Sequence, residues 1–394
     1  MAKSKVRYNG AKEFVELFFD GYTLQSHNSK KLVYQGAGED GTLSRMVVGG
    51  KGFAVADGLL TGGKIGEIDF QNKKQKLLVE LDGLQTDSQS FQAALGETGI
   101  QPLLHLLYSG NDKVSSNAFA TTIFTGAGDD IAKYTGRGWV EFIDGPGADK
   151  FTGSKFNRSI DNAVSYADAS AYGDFPAPSG ITADMSTGKV IDPWGFTDKL
   201  KLINVITGTM FDDSVTSSAA DERFRFRGLA GDDTFIGNTG EDTIDYRFDA
   251  RHGGAGGVSV NLAEGWAIDG FGDTDTVSGI DRVIGTDGND TIVGSAAFEL
   301  LEGWLGDDTL TGGEGADIFR FRDGFGNDTI TDFEIGIDRI RLNDLSDLFD
   351  EFEGVILTQV GSNTVVSIAD DPDSNSITLI DIDAATLTAA DFMV

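Results

Sequence analysis

Residues 285–320 read GTDGNDTIV, GSAAFELLE, GWLGDDTLT and GGEGADIFR, four consecutive nine-residue units with no gap. Three of the four carry Gly at position four (Gly288, Gly306, Gly315), Asp at position six (Asp290, Asp308, Asp317) and an apolar residue at position eight. Glycine permits the left-handed backbone that turns carbonyls inward. Aspartate supplies a hard anionic oxygen suited to Ca²⁺. The apolar residue then begins a very short strand facing a narrow core. The spacing predicts a cation-binding turn alternating with a strand.

Composition supports that division of labour. The chain has 394 residues, a formal net charge of −32, 53 Gly, six Pro and no Cys. Residues 1–110 carry 12 Lys+Arg and 12 Asp+Glu, so the remaining 19 basic and 51 acidic residues account for the whole excess. Such acidity disfavours nucleic acid as a partner, because phosphates are repelled. The lack of cysteine excludes disulfides and thiolate metal sites. The N-terminus, MAKSKVRYNGAKEFVELFF, has no apolar core or cleavage site of a secretory signal. No apolar run approaches the roughly 18 residues of a membrane span.

Working outward, the units recur. GLAGDDTFI (228–236) and GNTGEDTID (237–245) place Asp233 and Asp242 at position six, and DGFGNDTIT (323–331) places Asp328 there. Frames of nine from Leu107 give Asp112, Asp130 and, after a one-residue slip, Asp149, alternating with Thr121, Trp139 and Arg158. Two units make one coil, so alternate units stack. Asp112, Asp130 and Asp149 are expected along one edge and ordinary side chains along the other. Likewise Asp290, Asp308 and Asp328 share one edge, and Glu299 and Asp317 the other. A larger duplication links Gly180–Asp192 to Gly257–Asp269 at an offset of 77, through Asp198/Asp275 and on to Asp213/Asp290, with Tyr166 and Tyr246 ahead of the copies. Each copy starts with apolar–polar alternation, suiting a half-buried strand, and reads as an excursion that re-enters the repeat.

These nonapeptides resemble the glycine-rich repeat of RTX proteins, which stack as a Ca²⁺-binding parallel β-roll. The resemblance implies ions shared between stacked turns, at Asp112/Asp130, Asp130/Asp149, Asp213/Asp233, Asp290/Asp308, Asp308/Asp328 and Glu299/Asp317, with Asp242 a further ligand. The turn backbone would be set by Gly110, Gly128, Gly147, Gly228, Gly231, Gly237, Gly240, Gly285, Gly288, Gly303, Gly306, Gly312, Gly315, Gly324 and Gly326. Position eight supplies the core: Phe235, Ile244, Ile292, Leu301, Leu310, Phe319 and Ile330. From Leu342 onward there is no Lys or Arg and there are 11 acids, ending LTLIDIDAATLTAADFMV. That end resembles the uncleaved C-terminal signal of type I secretion substrates, which implies the type I machinery as a partner and an extracellular or cell-surface location.

The expected fold is all-β: a parallel β-roll with a β-rich N-terminal cap and a C-terminal β cap and secretion segment. Its parts are 1–106, β-rich with a helix over Ser90–Leu107; 107–160, a degenerate array; 161–227, the first excursion with its re-entry repeat; 228–245, repeats; 246–284, the second excursion; 285–331, the main roll; and 332–394, the cap and signal. Strand-like runs in the first part are Phe14–Phe19, Leu32–Gln35, Met46–Val48, Lys64–Phe70 and Lys76–Leu81.

No HExxH or GxSxG occurs, and His27, His105 and His252 are far apart, so the protease and lipase chemistries are not supported. The reading is a non-enzymatic secreted protein that calcium makes rigid, with a structural, surface-layer, matrix or adhesive role and possible partners in self-association or cell-surface polysaccharide. The alternative is a polysaccharide-binding or polysaccharide-degrading protein carried by the repeats. Trp139, Trp194, Trp266 and Trp304 are the aromatic candidates for a sugar platform.

Overall fold

A strand of three residues bounded by glycine and acid cannot bury a face alone, so it must stack on a copy of itself. The computed structural model describes strands at 4–8, 23–28, 31–35, 45–56, 59–71 and 77–82, and residues 111–116, 121–155, 161–167, 176–218, 223–342, 354–369 and 375–394. The expected Ser90–Leu107 helix, the Phe14–Phe19 run, Gly110, Arg158 and the side chain of Asp112 lie outside the described residues. The chain forms two compact units, residues 1–178 with 188–206, and residues 179–187 with 207–394.

In the second unit the nonapeptides wind into two parallel sheets. Thr291–Val293, Thr309–Thr311 and Asn327–Ile330 lie in register, with Ile292 beside Leu310 and Leu310 beside Ile330. The intervening strands Arg282–Ile284, Leu300–Glu302, Ile318–Arg320 and Arg339–Arg341 form the other sheet, aligning Val283, Leu301, Phe319 and Ile340. Alternate units therefore stack, as a two-nonapeptide coil requires. The position-eight side chains Phe235, Ile244, Ile292, Leu301, Leu310, Phe319 and Ile330 are all buried between the sheets. The fold is a parallel β-roll.

The second 77-residue copy leaves this path as an antiparallel meander of Ser259–Asn261, Trp266–Ile268 and Thr274–Ser278. Its outer strands rejoin parallel neighbours, Ser259–Asn261 beside Thr291–Val293 and Thr274–Ser278 beside Thr234–Ile236. The sheet stays hydrogen-bonded although the chain reverses inside it. At the C-terminal end Ser376–Leu379 adds parallel to Asn327–Ile330 and carries the antiparallel strands Asn363–Ile368 and Val355–Val360. Phe392–Met393 adds to Arg339–Arg341. Added strands of this kind occupy edges that would otherwise pair with another chain.

In the first unit Asp112–Ser116, Ile131–Tyr134, Lys150–Thr152 and Thr197–Lys201 form one parallel series, with Lys189–Ile191 antiparallel on the last. Thr121–Phe124, Val140–Ile143 and Asn162–Ser165 form the other. Ser4–Tyr8 lies parallel to Asp112–Ser116 and antiparallel to Leu77–Asp82, joining the N-terminal strands to the first coil. The rings of Phe142 and Phe151, from opposite series, meet at 5.2 Å between centroids. Among the described residues no helix is long and apolar enough to cross a membrane.

Candidate metal centre

Position-six residues sit where each turn enters its strand, so stacking the strands stacks the carboxylates. The Asp290 amide donates to Asp308 Oδ1 at 2.8 Å, and the Asp308 amide to Asp328 Oδ1 at 2.8 Å. Asp213 and Asp233 repeat the contact at 2.8 Å, and Asp130 and Asp149 at 2.6 Å. On the other edge the Glu299 amide donates to Asp317 Oδ1 at 2.8 Å. The structure thus brings together every pair named from the spacing except Asp112/Asp130, where the Asp112 side chain is not described. All of these carboxylates, with Asp242, are at most 2 % exposed.

One oxygen of Asp149, Asp233, Asp308, Asp317 and Asp328 is therefore used by the neighbouring coil and the other turns elsewhere, whereas Glu299 is held within its own turn by Ser295. Asp233 Oδ2, Asp308 Oδ2, Asp317 Oδ2 and Asp242 Oδ1 are buried and receive no hydrogen bond. The turn glycines explain where those oxygens go. A Cβ on Gly228 would fall 1.9 Å from Asp233 Oδ2, on Gly285 2.0 Å from Asp290 Oδ2, and on Gly303 1.9 Å from Asp308 Oδ2. The first glycine of the unit is thus required for space, not for backbone conformation. Positive φ appears at Gly128, Gly231, Gly306, Gly315, Gly324 and Gly326. It does not appear at Gly147, Gly240 and Gly288, nor at Gly228, Gly237, Gly285, Gly303 and Gly312. The left-handed backbone expected of the position-four glycine is therefore absent at Gly147, Gly240 and Gly288.

Burial dominates the electrostatics of the ladder. It pushes Asp308 and Asp328 up to about 8, Asp213 and Asp317 to about 7, and Asp290 and Asp149 to about 6, against the lowering effect of the donated amides. Asp233, beside Asp213 and Asp275, rises to about 10. Such groups need a cation. A Ca²⁺ ion takes six to eight oxygens at about 2.3–2.6 Å, and the unsatisfied Asp oxygens with neighbouring turn carbonyls are donors of the right chemistry. The residues that would hold it are the stacked position-six carboxylates.

The hydrogen-bonded ladder runs past the nonapeptides. The Asp149 amide reaches Asp198 Oδ1 at 2.8 Å, Asp233 reaches Asp275 at 3.1 Å, Asp242 reaches Asp281 at 2.8 Å, and Asp317 reaches Asp338 at 2.9 Å. None of these acceptors belongs to the expected ligand set. Asp281 and Asp338 directly precede short strands, and the 77-residue duplication marks Asp198 and Asp275, so the signal was present.

A second class of buried carboxylate lies at position nine of the other sheet. Asp245 meets Arg247 Nη2 at 2.7 Å and Arg227 Nε at 3.2 Å, with Arg225 Nε at 3.7 Å. Glu302 meets Arg282 Nη2 at 2.5 Å, Arg320 and Arg322. Burial alone would raise the Asp245 carboxyl, but Arg247, Arg227 and Arg225 hold it well below the usual carboxylate range. Arg227/Asp245 and Glu302/Arg320 are each 18 residues apart, the spacing of one coil, which could have found them.

A family model for the RTX calcium-binding nonapeptide repeat matches four copies, within residues 225–249, 275–297 and 284–319. No curated protein matches the sequence. Among solved structures, the crystal structure of the extracellular lipase LipA from Serratia marcescens aligns over 95% of this chain and 85% of that one, at 11% identity and a TM-score of 0.23. So low a score does not define a shared topology. What the matched repeats and the stacked carboxylates establish together is that this chain carries RTX nonapeptide repeats, folded as a parallel β-roll, with Ca²⁺ as the cofactor.

Proposed function

We propose that the protein is secreted in an unfolded form and is made rigid by extracellular calcium, acting without catalysis as a structural, surface-layer, matrix or adhesive protein. The observation that carries this reading is the ladder of buried carboxylates in which, among the described residues, Asp233, Asp308 and Asp317 keep a buried oxygen that receives no hydrogen bond. The apolar core is one side chain in most of the three-residue strands, such as Ile292, Leu310 and Phe319, and two or three in a few others, such as Val140–Ile143. That is little to set against a backbone ordering cost of roughly 1–2 kcal/mol per residue. Folding then waits for the ion, and binding and folding become one event. Export through a type I system follows from the same logic, because a chain kept unfolded at low calcium can be threaded. The acidic C-terminal segment is the proposed signal.

The test is a calcium titration of chelator-stripped protein followed by far-UV circular dichroism and light scattering together. A joint rise supports calcium-driven assembly into a layer or matrix. A β signal that rises while scattering stays monomeric removes the assembly role.

A second reading, binding of an acidic polysaccharide, is favoured by a cavity of about 230 Å³ lined by Arg247, Phe248, Ala250, Arg251, Asp287 and Trp304. Retention of the calcium-loaded chain on an acidic polysaccharide, lost in Arg251→Ala, would support it. Equal retention of both proteins would count against it.

A further inference from the structure

The two excursions share a frame but pack against coils that differ at position one. In both, the aspartate that follows the hairpin loop accepts a ladder amide on one oxygen and a buried tyrosine hydroxyl on the other. Tyr166 donates to Asp198 Oδ2 at 3.2 Å, and Tyr246 to Asp275 Oδ2 at 3.0 Å. In both, the loop aspartate closes its own turn. Asp192 Oδ1 accepts the amides of Trp194 and Phe196, and Asp269 Oδ1 those of Phe271, Gly272 and Asp273. The second copy packs against a nonapeptide that begins with Gly228. The first packs against one that begins with Asp144.

That substitution changes the chemistry. Position one is where a Cβ on Gly208, Gly228, Gly285 or Gly303 would fall about 2 Å from the unit's own aspartate. Asp144 nevertheless carries a carboxylate there. It is fully buried, and as a carboxylate it accepts no hydrogen bond on either oxygen, its polar neighbour being the Asp149 carboxylate. One oxygen each from Asp144, Asp192 and Asp198 lie within 4.8 Å of one another. Two oxygens bound to one Ca²⁺ at 2.3–2.6 Å can be no more than about 5.2 Å apart, so each pair in the group meets the separation that one shared ion requires. Asp149 borders it, its second oxygen also buried without a partner. Among the described residues no Lys or Arg pairs with any of the four, unlike Asp245 and Glu302. Among those residues the second copy forms no comparable group.

We propose that Asp144, Asp192 and Asp198 form a carboxylate cage for one Ca²⁺ ion, bordered by Asp149 and built by the excursion instead of by the Gly-x-Asp turn. The cage gives the hairpin a structural reason to exist: it delivers Asp192 and Asp198 to a coil that carries an acid where the other units carry glycine. With three carboxylates it should take a lanthanide as well as calcium. It depends on the fold and not on the proposed biological role.

The deciding experiment is anomalous scattering from crystals of the wild-type full chain loaded with Ca²⁺ and then with Tb³⁺. A terbium peak at bonding distance from Asp144, Asp192 and Asp198 is expected. A map with only water, or nothing, between them while the nonapeptide turns are occupied overturns the cage and leaves the ladder intact. In solution, Asp144→Gly restores the residue that other units carry at this position. It is expected to bind one calcium fewer than wild type by native mass spectrometry, with the calcium-loaded β signal retained. Asp308→Asn, the ladder control, should lose ions with the cage still filled. An unchanged ion count in Asp144→Gly would mean that Asp144 is a buried neutral acid.

Discussion

The roll buries carboxylates in two ways, and the two columns behave as opposites. At position nine, Asp245 and Glu302 meet arginines one coil away, and Asp245 also meets Arg247 two residues on, so their charge is balanced by the sequence itself. At position six, Asp233, Asp308 and Asp317 accept amides from the stacked coil and, among the described residues, keep a buried oxygen with no partner. Burial alone would push Asp245 toward the neutral acid as it pushes the ladder, but Arg247, Arg227 and Arg225 favour its ionised form. Asp233, Asp308 and Asp317, by contrast, are raised by burial and gain a counter-charge only from a cation outside the chain. On the proposed function, calcium control resides in the position-six column, and the position-nine column gives the same coils a fixed charge pairing.

Calcium removal should separate the columns most. Chelation is expected to abolish most of the far-UV β signal, because every ladder interface loses its ion at once. A chelated chain that keeps its β signal and resists protease would mean that the core and arginine column suffice. Next in size, Asp245→Asn leaves Arg227 and Arg247 without their shared acid. Breaking a buried pair in this way typically costs about 3–5 kcal/mol. The loss should appear in thermal melts at saturating calcium, where added calcium cannot rescue it.

Asp308→Asn tests the other column. Asp308 takes part in two stacked interfaces, with Asp290 and with Asp328. Its calcium midpoint is expected to rise about tenfold or more, equivalent to about 1.4 kcal/mol, with folding recovered at high calcium. A midpoint equal to wild type would remove Asp308 from the ligand set. Gly303→Ala should act alike, since its Cβ would fall 1.9 Å from Asp308 Oδ2. Gly336→Ala meets nothing within 4 Å and pays only for its φ of +77°, about 1–2 kcal/mol with no change in the number of bound ions.

The smallest effect is that of pH, and its sign differs between the columns. Ladder aspartates have values raised above the unfolded one, Asp308 to about 8, so the folded metal-free chain binds more protons than the unfolded chain. Their contribution to metal-free stability falls as pH rises from about 4 to 8. Asp245 is lowered, so its contribution is present above about 4 and is lost on further acidification. Calcium-stripped protein should therefore show more β structure near pH 4.5 than at pH 8. A β signal that grows with pH in metal-free buffer would contradict the ladder's electrostatics.

The period of nine fixed the essentials at the level of sequence. Because the same glycine, acid and apolar residue return every coil, Asp290, Asp308 and Asp328 had to share an edge, and Ile292, Leu310 and Ile330 a core. That reasoning needs no long-range information, since each coil repeats the contacts of the last. What the period could not reach lies where the chain breaks it. Asp144, Asp192 and Asp198 come from three different segments, and only the antiparallel hairpin and its return to a parallel neighbour bring them together. The arginine column was written at an offset of 18, but arginine and acid at that spacing mean little until strand register places both on one face. Local repetition determined the roll and its cation. Tertiary structure decided which carboxylates outside the repeat join it, because their meeting depends on the path of the chain and not on its period.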